Sequence, residues 1–172
     1  MKPVGIDLGC GPNRVHGCFG VDIDLGLRPN IVGDIDKCSL PFVSTSVDYI
    51  LCWDVLEHLH NPVHFMNECH RVLRVGGELH IRVPFGGSYW AMVDPTHIRP
   101  YYPESFFYFT VDAPASYSFI DKWEISELKC VRHAHEFKYL VRNVFPFAST
   151  LSRFILGMYD QIDVKMRPLK VP

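Results

Sequence analysis

Three short apolar runs within the first 36 residues each stop at a glycine or an acid. Val4-Gly5-Ile6-Asp7-Leu8 enters Gly9-Cys10-Gly11-Pro12, Cys18 to Ile23 ends in Asp22 and Asp24, and Asn30 to Gly33 ends in Asp34-Ile35-Asp36. Brief apolar stretches cut off by turn residues read as strands buried on both faces, the pattern of a parallel sheet. Ser46 to Trp53 repeats it as a fourth strand, followed by Asp54-Val55-Leu56-Glu57-His58. From Pro62 to Arg74 the apolar positions 63, 66, 69 and 73 share a helical face. Asn61 is placed to cap this helix, Arg71 and Arg74 suit its last turn, and Gly76-Gly77 suits its stop. Glu78 to Val83 is a fifth strand. Strands alternating with crossovers predict an α/β fold with a mostly parallel sheet, whose ligands bind outside the strands' C-terminal ends.

Beyond residue 83 the pattern loosens. A loop is expected from Pro84 to Tyr102, a short helix from Pro103, and a long strand from Lys122 to His135. Phe147, Leu151, Phe154, Ile155 and Met158 have helical spacing, predicting a helix over 144–160, and Ile162 to Val171 reads as a last strand. There is no internal repeat and no linker, so 1–172 is read as one domain: 4–84 the cofactor-binding half, 85–172 the lid and C-terminal, substrate-side half.

With 48% hydrophobic and 21% charged residues the chain is not disordered. A net charge of −2 argues against binding nucleic acid or acidic lipid through bulk charge. Residues 122–172 carry nine basic and five acidic side chains, but these are spread along strands and helix and read as a solvated face. No apolar run approaches the roughly 18–20 residues of a membrane span. Met1 to Asp7 places an acid where a secretory signal would be apolar, so a cytoplasmic location is expected. The six cysteines contain no Cys-x-x-Cys pair and read as reduced, small apolar residues. His60 and His64 are four apart, but Asn61-Pro62 starts a helix between them, and no metal site is expected.

Gly9-x-Gly11 after a strand suggests a ligand loop, and a tight turn explains it equally well. A dinucleotide fingerprint needs a third glycine opening a helix that holds a pyrophosphate; position 14 is arginine, and Asn13 to His16 leave no room for that helix. The acid at Asp22 also comes sooner than the usual gap of about 20 residues. A ligand with adenosine but no phosphate suits the pattern better, and S-adenosylmethionine is one. Glycines at 9 and 11 would admit its amino-acid tail, Asp22 could accept from both ribose hydroxyls, and Asp34 from the adenine amine, with Ile35 against the ring. Each aspartate alone is an ordinary turn residue. Three successive strand ends with the required chemistry are not.

The segments Ile6-Asp-Leu-Gly-Cys-Gly11, Gly20-Val-Asp-Ile-Asp24, Gly33 to Phe42, Ser46 to Ile50, Val55-Leu-Glu-His58, Arg71 to Gly77 and Asp94-Pro-Thr-His97 occur in unbroken order. In this the chain resembles the class I S-adenosylmethionine-dependent methyltransferases, specifically the small type 11 group. The resemblance implies a Rossmann-like, mostly parallel seven-stranded sheet with reduced N-terminal helices. It implies S-adenosyl-L-methionine as cofactor, held by Asp7, Gly9, Cys10, Gly11, Asp22, Ile23, Asp34, Ile35, Trp53 and Asp54. Asn13 replaces the third glycine of the usual loop, and Val75 the proline of the usual Pro-Gly-Gly. The family's helix before the first strand is not expected here, and the one after it is expected to be nearly absent. One sheet face is thus left poorly covered, and the 144–160 helix or the second subunit of a homodimer is expected to cover it.

Methyl transfer is an in-line displacement whose rate comes largely from alignment. A hydroxyl acceptor benefits from a base, and His97 in Asp94-Pro-Thr-His97 is the candidate, with Asp94 beside it; bracing of the loop by His97 is the alternative. Glu57 and His58 fall near the expected methyl position or orient the helix start. Among the aromatics of 84–109, Tyr89, Trp90 and Tyr101 are lid candidates and Phe106 to Phe109 are read as core. Cys52-Trp53-Asp54 lacks the Pro-Pro-aromatic motif of resembling DNA-modifying enzymes, so a small-molecule acceptor with an oxygen or nitrogen nucleophile is expected. An inactive cofactor-binding module and a non-enzymatic α/β interaction domain are the alternatives.

Overall fold

The computed structural model describes residues 3–117, 121–132 and 159–170. Seven strands, β1 (Gly5–Leu8), β2 (Cys18–Asp22), β3 (Ile31–Val32), β4 (Val47–Trp53), β5 (Leu73–Pro84), β6 (Trp123–Val131) and β7 (Gln161–Pro168), form one sheet in the order β3-β2-β1-β4-β5-β7-β6. The β1, β2, β3, β4 and β5 neighbours pair in parallel; β7 lies antiparallel between β5 and β6. Leu8 stands opposite both Val21 and Cys52, so β1, β2 and β4 end level and their turns open along one edge.

Alternate residues of the central strands, Ile6, Leu8, Ile50, Leu79, Ile81 and Val164 among them, are fully buried. Above them lie Phe65, Met66, Cys69 and Val72 of helix α1 (Pro62–Val72), spaced three and four apart as a helical face requires. The opposite face is built differently. The crossover from β1 to β2 contains only a 3-10 turn at Gly11–Asn13, and that from β2 to β3 one at Leu25–Leu27. The Tyr49 ring lies flat where a Cβ on Gly5 would stand, its hydroxyl 3.5 Å from the Cys18 sulfur. Further along, the same face carries His80 paired with Asp163 (3.3 Å), Lys165 with Glu127 (2.9 Å) and Arg167 with Glu78 (3.4 Å). Exposed pairs of this kind add about 0–1 kcal/mol each. They make this part of the sheet face polar among the described residues. The 144–160 helix lies, except for its last two positions, outside the described residues.

Several expected boundaries move. The helix stops at Val72 rather than Arg74, and β5 starts at Leu73 rather than Glu78, because fully buried Leu73 turns extended and pairs with Val47. Gly76 (φ +76°) and Gly77 form an excursion within the strand before Glu78 pairs with Tyr49; they are not a helix stop. The expected loop 84–102 contains a short helix, α2 (Tyr89–Val93), capped by the Ser88 side chain, which accepts from the Ala91 amide (3.1 Å). The segment after Pro103 is a 3-10 helix to Phe109, and its three-residue period buries Phe106 and Phe109 while Phe107 and Tyr108 are exposed. Tyr101, expected in a lid, is 4% exposed; it stacks on Phe106, and its hydroxyl donates to the Leu56 carbonyl (3.4 Å). No helix among the described residues is long and apolar enough to cross a membrane.

Arg71 fastens α1 to the segment that follows β3. Its guanidinium donates to both Glu68 oxygens (2.8 Å each), to the Leu40 and Phe42 carbonyls (2.8 and 2.9 Å) and to Ser44 Oγ (3.2 Å), while Glu68 accepts from the Leu40 amide (2.7 Å). Removing the arginine leaves the partly buried Glu68 with the Leu40 amide alone and takes a donor from the Leu40 and Phe42 carbonyls. Arg71→Ala is expected to cost about 2 kcal/mol, lowering Tm by about 6 °C in calorimetry. The Arg71 hydrogen bond holds the Glu68 carboxyl below its ordinary value of 4.5. Its contribution is therefore present above the unfolded value and lost as pH falls through the folded one. The stability difference between wild type and Glu68→Gln should be full at neutral pH and shrink below about pH 4.5 in denaturant titrations.

Candidate active site

Two buried carboxylates shape the turn after β1. Asp7 (4% exposed) accepts from the Val15 amide (2.8 Å), and Asp22 accepts from the Gly11 amide through Oδ2 (2.9 Å) and from the Asp24 amide through Oδ1 (3.0 Å). Burial pushes the Asp7 carboxyl up from the ordinary carboxylate range. Gly9 has φ +65°, its amide donates to the Val21 carbonyl (2.8 Å), and the Val55 side chain occupies the space a Cβ would need. Beyond β3, Asp34 accepts from the Asp36 amide (3.0 Å) and pairs with Lys37 (3.0 Å), whose hydrogen bond holds Asp34 below its ordinary value. Asp36 ties this segment to the one after β4, accepting from the amides of His60 (3.1 Å) and Asn61 (2.7 Å).

Between these elements lies a cleft of about 320 Å³, lined by Gly9, Val21, Asp22, Ile23, Gly33, Asp34, Ile35, Asp36, Lys37, Val55, His58, Leu59 and His60. Of the residues assigned to the cofactor from sequence, Gly9, Asp22, Ile23, Asp34 and Ile35 meet in it. Asp7 stands behind, holding the turn. Cys10 and Gly11 line a neighbouring hollow with Arg14 and Arg28. Trp53 and Asp54 do not line the cleft. Trp53 lies edge-on to His80 with Arg82 over its ring (5.2 Å), and the Asp54 carboxylate pairs with Arg82. Asp54 itself, at φ +57°, turns the chain so that Val55 and His58 face the cleft instead. Sequence reasoning left Asp36, Lys37, Val55 and His60 off the site, since nothing local marks the partner each one finds.

The lining holds three carboxylates against one lysine and no α-helix N-terminus. A pyrophosphate would meet repulsion there. A ligand carrying a ribose diol, an amine and positive charge meets acceptors, and Asp22, each of whose oxygens takes one amide, has acceptor capacity left for the diol. S-adenosylmethionine fits the donor set.

At the His58 end of the cleft a second group assembles. The Ile98 amide donates to the Glu57 carbonyl (2.8 Å) and Arg99 to the His60 carbonyl (3.0 Å), lacing Asp94-Pro-Thr-His97 onto the turn after β4. The His97 ring meets the His58 ring edge to face at 4.7 Å, and its Nε2 stands 3.9 Å from Glu57 Oε1 and 3.8 Å from Asp94 Oδ2. Glu57 is 2% exposed, neither carboxyl oxygen has a hydrogen-bond partner, and burial pushes the group up to about 8. The expectation of no metal site rested on His60 and His64. These do separate, His60 to Asp36 and His64 to the Cys38 carbonyl (3.3 Å), whereas Glu57, His58 and His97 converge.

A seven-stranded sheet in this order, with a single reversed strand and an acid-lined cleft at its C-terminal edge, defines the class I S-adenosylmethionine-dependent methyltransferase fold. Residues 6–81 match the family model described as a methyltransferase domain. The chain is 36% identical over 119 residues to a probable S-adenosylmethionine-dependent methyltransferase of Mycolicibacterium smegmatis, an alignment covering 55% of this chain and 44% of that one. It thus spans less than half the length of that curated relative. Among solved structures it is similar to a SAM-dependent methyltransferase from Archaeoglobus fulgidus (TM-score 0.65, 16% identity, 96% of this chain and 86% of that one). It is also similar to phosphoethanolamine N-methyltransferase 2 of Haemonchus contortus in complex with S-adenosyl-L-methionine (TM-score 0.63, 14% identity, 99% and 50%). Residues 6–81 thus match a methyltransferase domain, and the fold is that of the class I S-adenosylmethionine-dependent methyltransferases.

Proposed function

We propose that this chain methylates an oxygen or nitrogen nucleophile of a small molecule. The observation that carries the reading is the continuity of the two groups: the acid-lined cleft ends at His58, which touches the His97 ring. S-adenosylmethionine, when bound, supplies a methyl group on a sulfonium. Asp22 holds the ribose hydroxyls, Asp34 accepts from the adenine amine, Ile23 and Ile35 flank the ring, and Gly9 lets the backbone close on the tail. His97, its Nδ1 within 3.2 Å of the Ala91 carbonyl, directs Nε2 toward Glu57 and Asp94 and takes the acceptor's proton there. Tyr89 and Trp90 stand exposed on α2, eight and seven residues before His97, where an arriving acceptor would meet aromatic surface.

The test is transfer of labelled methyl from S-adenosylmethionine to a panel of small hydroxyl and amine acceptors. A labelled acceptor with stoichiometric S-adenosylhomocysteine supports the reading. Cofactor binding with no acceptor labelled would leave a binding module instead, and no cofactor binding an interaction domain. His97→Gln should lower kcat about 10²–10⁴-fold with little change in the KM for cofactor; a brace alone would move stability rather than kcat. A homodimer covering the Tyr49 and Leu51 side of the sheet belongs to the same reading, and mass by light scattering measures it.

A further inference from the structure

We infer that Glu57, His58 and His97 bind one divalent ion of the zinc and cobalt class, with a coordination position left for an oxygen of the methyl acceptor. One ligand atom from each of the three lies within 4.8 Å of the others. Two ligands on a tetrahedral ion, with bonds of about 2.0–2.2 Å, stand about 3.4 Å apart. The 3.9 Å between His97 Nε2 and Glu57 Oε1 is too long for a hydrogen bond and closes to that value with a small turn of the ring.

Three independent features favour an ion over a fortuitous cluster. The first is Glu57, whose two oxygens are buried without partner, an arrangement that costs stability unless something accepts their electron pairs. The second is the tautomer of each imidazole. His97 Nδ1 faces the Ala91 carbonyl (3.2 Å); His58 Nδ1 faces the Thr96 carbonyl (3.3 Å) and the Thr96 hydroxyl (3.0 Å), whose own proton goes to Asp94 (2.6 Å), so each Nδ1 carries the proton and each Nε2 keeps a lone pair. Backbone carbonyls orient metal-bound histidines in this way. The third is rigidity: the Ile98 amide to Glu57 carbonyl bond (2.8 Å) holds the two sequence segments together, and the Thr96 turn on Asp94 (2.6 and 2.8 Å) stiffens the second of them. Two imidazoles and one carboxylate suit zinc, cobalt or ferrous iron better than magnesium or calcium, which prefer oxygen.

Three protein ligands leave a fourth position open. A hydroxyl bound there releases its proton to water more readily than a free one. This selects hydroxyl-bearing acceptors over amines and makes His97 a ligand rather than a base in the loaded protein. The acceptor preference rests on the proposed methyl transfer; ion binding does not.

The test is titration of chelator-treated full-length protein with cobalt(II), read by calorimetry and visible absorption. One equivalent per chain with intense low-coordinate cobalt bands is expected. Glu57→Gln and His97→Ala should each weaken binding at least about 10-fold, and His64→Ala should not. Glu57→Gln preserves shape, and its retained circular dichroism shows that the loss is of ligand and not of fold. Wild type that binds no cobalt, or binds it no more tightly than the Glu57→Gln/His97→Ala double variant, overturns the inference. S-adenosylhomocysteine binding, measured on the same chelated protein, reports separately on the cofactor reading.

Discussion

Asp22→Ala is expected to abolish measurable binding of S-adenosylhomocysteine by calorimetry and to remove its thermal stabilisation of the protein. Each hydrogen bond to an ionised carboxylate contributes about 1.5–3 kcal/mol, so losing two from the ribose diol weakens binding by about 100-fold or more. The same carboxylate accepts from the Gly11 and Asp24 amides, so the variant also loosens the turn after β1. Asp22→Asn separates the two effects. Its amide oxygen still accepts one bond, and an intermediate loss is expected. Unchanged affinity in Asp22→Ala, or occupation of the cleft by NAD, would remove the basis for the cofactor assignment.

Gly9→Ala should lower stability by about 2–4 kcal/mol, and Tm by about 10 °C. The left-handed φ of +65° costs an L side chain about 1–2 kcal/mol. The new methyl also enters the space held by the branched Val55 side chain, whose short stem has nowhere to swing; overpacking of this kind costs about 1–3 kcal/mol. The double variant Gly9→Ala/Val55→Ala should recover the second contribution and not the first. Equal stability of Gly9→Ala and wild type in denaturant unfolding would refute this account.

What was readable beforehand follows the range of the interactions involved. The strands and their acidic ends depend on neighbours in sequence, and β1, β2 and β4 fall within a residue of their expected limits. The start of β5 at Leu73 depends on Val47, and the inward turn of Tyr101 on Leu56 and Phe106, so runs of apolar or aromatic residues did not locate them. Within the site, Asp22 and Asp34 were legible because a strand end places a carboxylate by itself. The approach of Glu57 to His97 was not, because it needs the backbone bond from Ile98 and the Thr96 turn to form first. Trp53 and Asp54 show the limit of transfer by position: the Asp54 bend at positive φ sends the next side chain, not these two, into the cleft.

The crossover between β1 and β2 has a consequence for the empty protein. With only a three-residue 3-10 turn there, no run of intrahelical bonds holds that corner when cofactor leaves. Its shape depends on two aspartates grasping the amides of Gly11 and Val15. One of those aspartates is also the group assigned to the ribose. Ligand capture and local ordering are thus a single equilibrium at this corner, and part of the intrinsic affinity is spent on tightening the turn that receives it.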